Sequence, residues 1–212
     1  MSAINALVQS DSVHMMTDTL LYVRGKVMQV DFPKCLPIRG MRAAIASTGP
    51  ASFAYLLAEM LAKCETFDEV VAKDREWWRG AFDWYVENER SGASEYATVV
   101  LIGWLERENR PAAFAIEFSN GGEKLEWVRC NSAYSNPDTV AHDLVELPIL
   151  ANPTPPVEDL VAAGWPIGVD PDARDAEADL LHMLEIQRRR PASDGLHYIG
   201  GHAVITTGPR TV

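Results

Sequence analysis

Residues 1–34 read MSAINALVQSDSVHMMTDTLLYVRGKVMQVDFPK, and their apolar and polar residues divide this stretch into short strands. AINALVQ, VHMMTD, TLLYVRG and KVMQVDF are separated by Ser10-Asp11-Ser12 and by Arg24-Gly25-Lys26, which is hairpin punctuation. The same stretch sets Ser2, Asp18 and Lys34 sixteen residues apart on what read as consecutive strands. A hydroxyl, a carboxylate and an ammonium placed this way can share one site.

Working outward, MRAAIAST is a further strand after the Pro33 to Pro37 break, and at Gly49 the period changes. Pro50 suits the first position of a helix whose Phe53, Leu56, Leu57, Met60 and Leu61 recur at helical spacing as far as Cys64. Thr66 and Glu69 form a capping-box signature, which predicts a second helix running without interruption to Ser91-Gly92. Its Phe67, Val70, Val71, Trp78, Phe82 and Tyr85 share a stripe suited to packing on a sheet, while Trp77 and Trp84 widen that stripe toward a subunit contact.

Strands resume with YATVVLIGWLE, AAFAIEFS and KLEWVRC, the last two joined through an Asn120-Gly121-Gly122 turn. Residues 136–171 are proline-rich and read as connection, with one short helix over Val157 to Ala163. A helix follows over Asp170 to Arg190, with Ala176, Leu180, Leu181, Leu184 and Ile186 as its apolar side, and HYIGGHAVITTGPRTV closes the chain as a strand or strand pair. Runs of strands separated by helix pairs imply an α+β fold of antiparallel sheets covered by helices. Without repeats or low-complexity segments, residues 1–212 read as a single domain.

A formal net charge of -11 argues against nucleic acid or an anionic membrane as partner, because phosphate binding needs clustered Lys and Arg. Arg188-Arg189-Arg190 closes an acidic helix and complements its dipole. Cys35, Cys64 and Cys130 make neither a disulfide framework nor a zinc site, which suggests the cytoplasm and buried, inert thiols. No signal-peptide pattern or spanning segment is expected, so the N-terminus is read as Met1, or Ser2 after methionine removal. His14, His142, His182, His197 and His202 fall in no ligand or triad motif, and neither a metal nor a cofactor is expected. Ser47-Thr48-Gly49-Pro50 instead leads a strand into a helix N-terminus, where Gly49 can donate its N–H to a developing oxyanion.

The order of elements and these residues together resemble the N-terminal nucleophile (Ntn) hydrolase superfamily, in its proteasome β-subunit and bacterial proteasome-like branch. Ser2, Asp18 and Lys34 fall on that family's nucleophile, aspartate and lysine, with serine where the family has threonine. Thr17-Asp18-Thr19 is similar to its aspartate segment, and Ala46-Ser47-Thr48-Gly49 to its oxyanion turn, with Gly49 on the oxyanion-hole glycine. Ser132, in Cys130-Asn131-Ser132, stands near a family serine that steadies the terminal amine. The resemblance implies a four-layer αββα sandwich, a peptide or amide substrate and a homo-oligomer. It also implies hydrolysis by Ser2 once Met1 is removed. A catalytically silent assembly subunit and a small-molecule amidase of the same superfamily are the alternatives.

Overall fold

The computed structural model describes residues 3–23, 26–88, 96–119, 145–190 and 199–208. The fold is α+β, and all of its described strand pairs are antiparallel. Strands β1 (Ile4–Val8) and β2 (Val13–Asp18) come first, followed by a hairpin of β3 (Leu21–Val23) and β4 (Lys26–Gln29). Next are β5 (Cys35–Pro37), β6 (Ala43–Ser47) and helix α1 (Ala51–Leu61). Helices α2 (Phe67–Val71) and α3 (Arg75–Asn88) precede the long strands β7 (Tyr96–Leu105) and β8 (Arg110–Ser119). The chain continues through β9 (Val145–Glu146), β10 (Ile149–Asn152), α4 (Val157–Ala162), α5 (Ala176–Arg189) and β11 (Ala203–Thr207).

One sheet has the order β10-β1-β2-β11 and another the order β5-β6-β7-β8-β9. Strand β7 shows why its sequence reads as a continuous apolar run: both of its faces are covered. Val99 and Leu101 join a core with Phe53, Leu57, Leu61, Phe67, Trp78 and Phe82 of α1, α2 and α3. Val100 and Ile102 point the other way, into a second core where Ala44, Ala46, Ala113 and Ala115 meet Ile4, Val13 and Met15 of the other sheet. Small residues on one sheet facing larger ones on the other let the two pack closely. The outer face of the β10-β1-β2-β11 sheet takes α5, through Leu7 and Met16 against Ala176, Leu180 and Leu184. A buried amide pair reinforces that contact: Asn5 Nδ2 donates to Gln187 Oε1 at 2.8 Å, and Gln187 Nε2 donates to Asn5 Oδ1 at 2.9 Å and to the Pro153 carbonyl at 2.8 Å.

The structure corrects the sequence reading in several places. The helix expected from Thr66 to Ser91 is two helices, because Asp74 starts a new one: its carboxylate accepts from the Trp77 N–H at 2.8 Å. Thr66 does cap α2, accepting from the Glu69 N–H at 3.2 Å, whereas Glu69 turns its carboxylate to the Glu65 N–H at 2.9 Å. Within the proline-rich connection, β9 and β10 are strands, and β10 pairs with β1 from Ile4↔Asn152 to Leu7↔Ile149. The helix expected from Asp170 begins at Ala176, capped by Asp175, after a 3-10 turn over Pro171–Ala173. Arg174 leaves helical geometry there to bury its guanidinium against Asp179 at 3.1 Å and the Pro166 carbonyl, over the ring of Trp165. On α5, Met183 is buried and Leu181 is exposed.

On α3, Trp78, Phe82 and Tyr85 enter the core, and Trp84 remains 53% exposed. The strand expected at KLEWVRC, the Asn120-Gly121-Gly122 turn, Cys130, His142 and His197 lie outside the described residues. None of the described helices is long and apolar enough to cross a membrane.

Candidate functional site

Asp18 ends β2 and is fully buried. A carboxylate withdrawn from water needs donors for its lone pairs, and four reach this one. Oδ1 accepts from the Ala3 N–H at 2.8 Å and from Lys34 Nζ at 2.8 Å. Oδ2 accepts from the Gly200 N–H at 3.2 Å and from the Leu20 N–H at 3.4 Å. Lys34 stands just before β5, and its side chain is also buried. Burial holds its ammonium below the ordinary lysine range, with the charge and hydrogen bond of Asp18 opposing that shift.

The lowered proton affinity of Lys34 gives a definite sign to the pH dependence of stability. Between its folded pKa and the ordinary value of 10.5, the unfolded chain binds a proton that the folded chain has shed. Stability from this group therefore rises with pH across that window and is flat on either side. Urea midpoints of the wild type and Lys34→Met, followed to pH 10, are expected to shift in favour of the wild type with rising pH. A difference that falls with pH would contradict this assignment.

A second, partly buried cluster adjoins the first. Thr19 Oγ1 donates to the Val30 carbonyl at 2.5 Å and accepts from the His202 N–H at 2.8 Å, fastening the β3-β4 hairpin to the segment before β11. Gly201 makes the approach possible, at φ +71°: a Cβ there would lie 2.5 Å from the Val30 carbonyl oxygen and 2.6 Å from Thr19 Oγ1.

Beside Lys34 opens a small cleft of about 60 Å³, with Ser47, Gly49, Phe32, Ala54 and Tyr55 among its lining. Gly49 sits at φ +83° in the turn between β6 and α1. Its neighbours' amides are accounted for: the Thr48 N–H donates to the Thr98 carbonyl at 2.8 Å, and Pro50 has none. Among the described residues no acceptor takes the Gly49 N–H. Pro50 precedes α1 as an N-cap without a side-chain hydrogen bond, so the first turn of that helix also begins uncapped.

The structure thus joins Asp18 to Lys34 and places Gly49 on the cleft that Lys34 lines; Ser2 and Ser132 lie outside the described residues. Two contributors were not anticipated. The Gly200 N–H is a backbone donor, which side-chain identity does not announce, although Gly200-Gly201 ahead of a strand marks a close approach. Ser47 ends β6 at 6% exposure with its Oγ buried and without a hydrogen-bond partner. Elsewhere, Cys35 and Cys64 are half-buried free thiols, and burial pushes the Cys35 thiol up while a hydrogen bond with Thr206 opposes it. Among the described residues no His, Cys, Asp and Glu cluster is arranged to hold a metal ion.

No protein-family model matches the chain, and none of the curated proteins compared with it matches either. Among solved structures, it is similar to Thiobacillus denitrificans BPH in complex with epoxomicin, with a TM-score of 0.57 and 16% sequence identity. The alignment covers 99% of this chain and 100% of that one. At that identity, the likeness is one of fold, end to end.

Proposed function

We propose that residues 1–212 form one four-layer αββα domain of the Ntn hydrolase kind, and that it is a proteasome-like hydrolase cleaving amide or peptide bonds with Ser2. One observation carries the reading. The buried Lys34–Asp18 pair shares its carboxylate with the N–H of Ala3, the residue that follows Ser2 in the chain. The stack of helices, sheet, sheet and helix supports the same reading, as does a fold neighbour solved with epoxomicin, a proteasome inhibitor.

In this mechanism, removal of Met1 frees the Ser2 α-amine, whose unperturbed pKa is roughly 7.7–8.0, to act as base for its own hydroxyl. The Ser2 oxygen attacks the amide carbon, and the hydroxyl proton passes through the amine to the leaving nitrogen. Lys34 disfavours a second positive charge beside it and so keeps the amine neutral, while Asp18 fixes and balances Lys34. The Gly49 N–H receives the oxyanion, and Ser132 steadies the terminal amine. Water then hydrolyses the acyl-Ser2 ester.

Intact-mass measurement tests the nucleophile. Protein expressed without a tag is expected to have lost Met1 and to gain the mass of one epoxomicin molecule, and Ser2→Ala to gain none. Retained Met1 with no adduct would overturn the enzyme and leave the silent assembly subunit. Trp84 on α3 and Val27 and Met28 on β4, all exposed, favour self-association in either case. Light scattering is expected to give a mass several times the 23.4 kDa of one chain, and a clean monomer would remove the homo-oligomer.

A further inference from the structure

Two adjacent side chains in the last turn of α5 reach the two backbone segments that supply Asp18 with donors. Gln187 is 2% exposed and follows Leu180 and Leu184 at core spacing, where an aliphatic residue would pack without needing partners. It is paired with the buried Asn5 by two amide hydrogen bonds, and Asn5 stands on β1, two residues after Ala3. Replacing such a pair by apolar residues of the same shape is close to neutral for stability. What the pair adds is a fixed register of α5 against β1. Arg188 reaches the other segment: Nη2 donates to the Gly201 carbonyl at 2.9 Å, while Nη1 donates to Glu185 at 2.5 Å.

The two segments serve different oxygens of the same carboxylate. Ala3 donates to Asp18 Oδ1, the oxygen that also binds Lys34, and Gly200 donates to Oδ2. The terminal torsion of an aspartate is soft, so donors on both oxygens are what hold its plane. With Oδ2 released, the carboxylate can turn and carry Oδ1 away from the Lys34 ammonium. We infer that the last turn of α5 positions Asp18, Gln187 setting the Ala3 side and Arg188 the Gly200 side. Both act through the backbone and are positioning residues. The bearing of this turn on catalysis rests on the hydrolase proposed above; its bearing on the geometry of Asp18 does not.

The test follows amide hydrogen exchange at Gly200 and Ala3 in the full chain, for the wild type, Arg188→Ala, Arg188→Lys and Arg189→Ala. The Arg188 side chain is 22% exposed, so its truncation leaves the core filled, and the exposed Arg189 controls for the lost charge. Arg188→Ala is expected to speed exchange at Gly200 by roughly tenfold, the worth of one hydrogen bond, and to leave Ala3 as in the wild type. Arg188→Lys keeps an N–H donor for the Gly201 carbonyl and is expected to restore protection. Arg189→Ala is expected to change neither amide. Epoxomicin adduct formation is expected to slow by roughly tenfold or more in Arg188→Ala, as a displaced catalytic group demands, and to recover in Arg188→Lys. Equal acceleration at Gly200 and Ala3 would reveal general loosening, and unchanged exchange at Gly200 would remove Arg188; either result overturns the inference. Gly200-selective exchange with labelling at the wild-type rate overturns the catalytic role of the turn. A wild type that gains no adduct overturns the hydrolase instead, and the exchange pattern still decides whether α5 positions Asp18.

Discussion

Asp18→Ala is expected to lower stability by about 3–5 kcal/mol, because it leaves the buried Lys34 ammonium without its carboxylate. The N–H groups of Ala3, Leu20 and Gly200 lose their acceptor at the same time, so the upper part of that range is favoured. For a domain of this length each kcal/mol moves the thermal midpoint by roughly 2–4 °C, which puts the fall well within reach of calorimetry. Lys34→Met added to Asp18→Ala is expected to recover part of the loss, since the buried charge goes with it. Asp18→Asn keeps an acceptor oxygen and is expected to fall between the two. A single alanine variant within about 1 kcal/mol of the wild type would show that the ion pair is dispensable to the fold.

Phe53→Ala is expected to destabilise by about 3–5 kcal/mol for a different reason, the cavity it opens. Phe53 is fully buried, and its ring centre lies 5.3 Å from that of Phe82, 5.0 Å from that of Tyr85 and 5.4 Å from that of Phe118. These rings come from α1, α3 and β8, so one truncation loosens two helices and the sheet beneath them. Urea unfolding checks the value, and Glu87→Ala on the exposed side of α3 is the control, expected to stay within about 0.5 kcal/mol. Equal losses for the two variants would mean that α3 is oriented otherwise.

Much of this architecture was legible because the period of the sequence and the burial of its residues have the same cause. Phe53, Leu57 and Leu61 recur every fourth residue and face one core; Val99 to Ile102 are all apolar because β7 is covered on both sides. The parts that were not legible depend on partners far along the chain. Strand β10 is four residues among prolines, and what makes it a strand is β1, nearly 150 positions earlier. The break between α2 and α3 rests on one side chain, Asp74, turning back onto the Trp77 amide instead of outward to water.

The candidate site divides in the same way. Asp18 and Lys34 were singled out by spacing and by a family resemblance, and their contact was foreseen; Ser2, singled out with them, lies outside the described residues. The Gly200 N–H and the orphan hydroxyl of Ser47 were not, because a backbone amide has no letter of its own and a serine at a strand end is ordinary until its burial is known.

The carboxylate of Asp18 also bears on timing. Three of its donors, from residues 3, 20 and 34, lie close to it in sequence, but the fourth belongs to Gly200, 182 residues downstream. Closing so long a loop is entropically unfavourable until the intervening sheets have packed. A nascent or truncated chain ending before Gly200 therefore carries Ser2, Asp18, Lys34 and Gly49 and still lacks one of the hydrogen bonds that hold Asp18 in place. The fold thus ties this carboxylate to a segment far along the chain, and a chain cut before Gly200 leaves Asp18 one donor short.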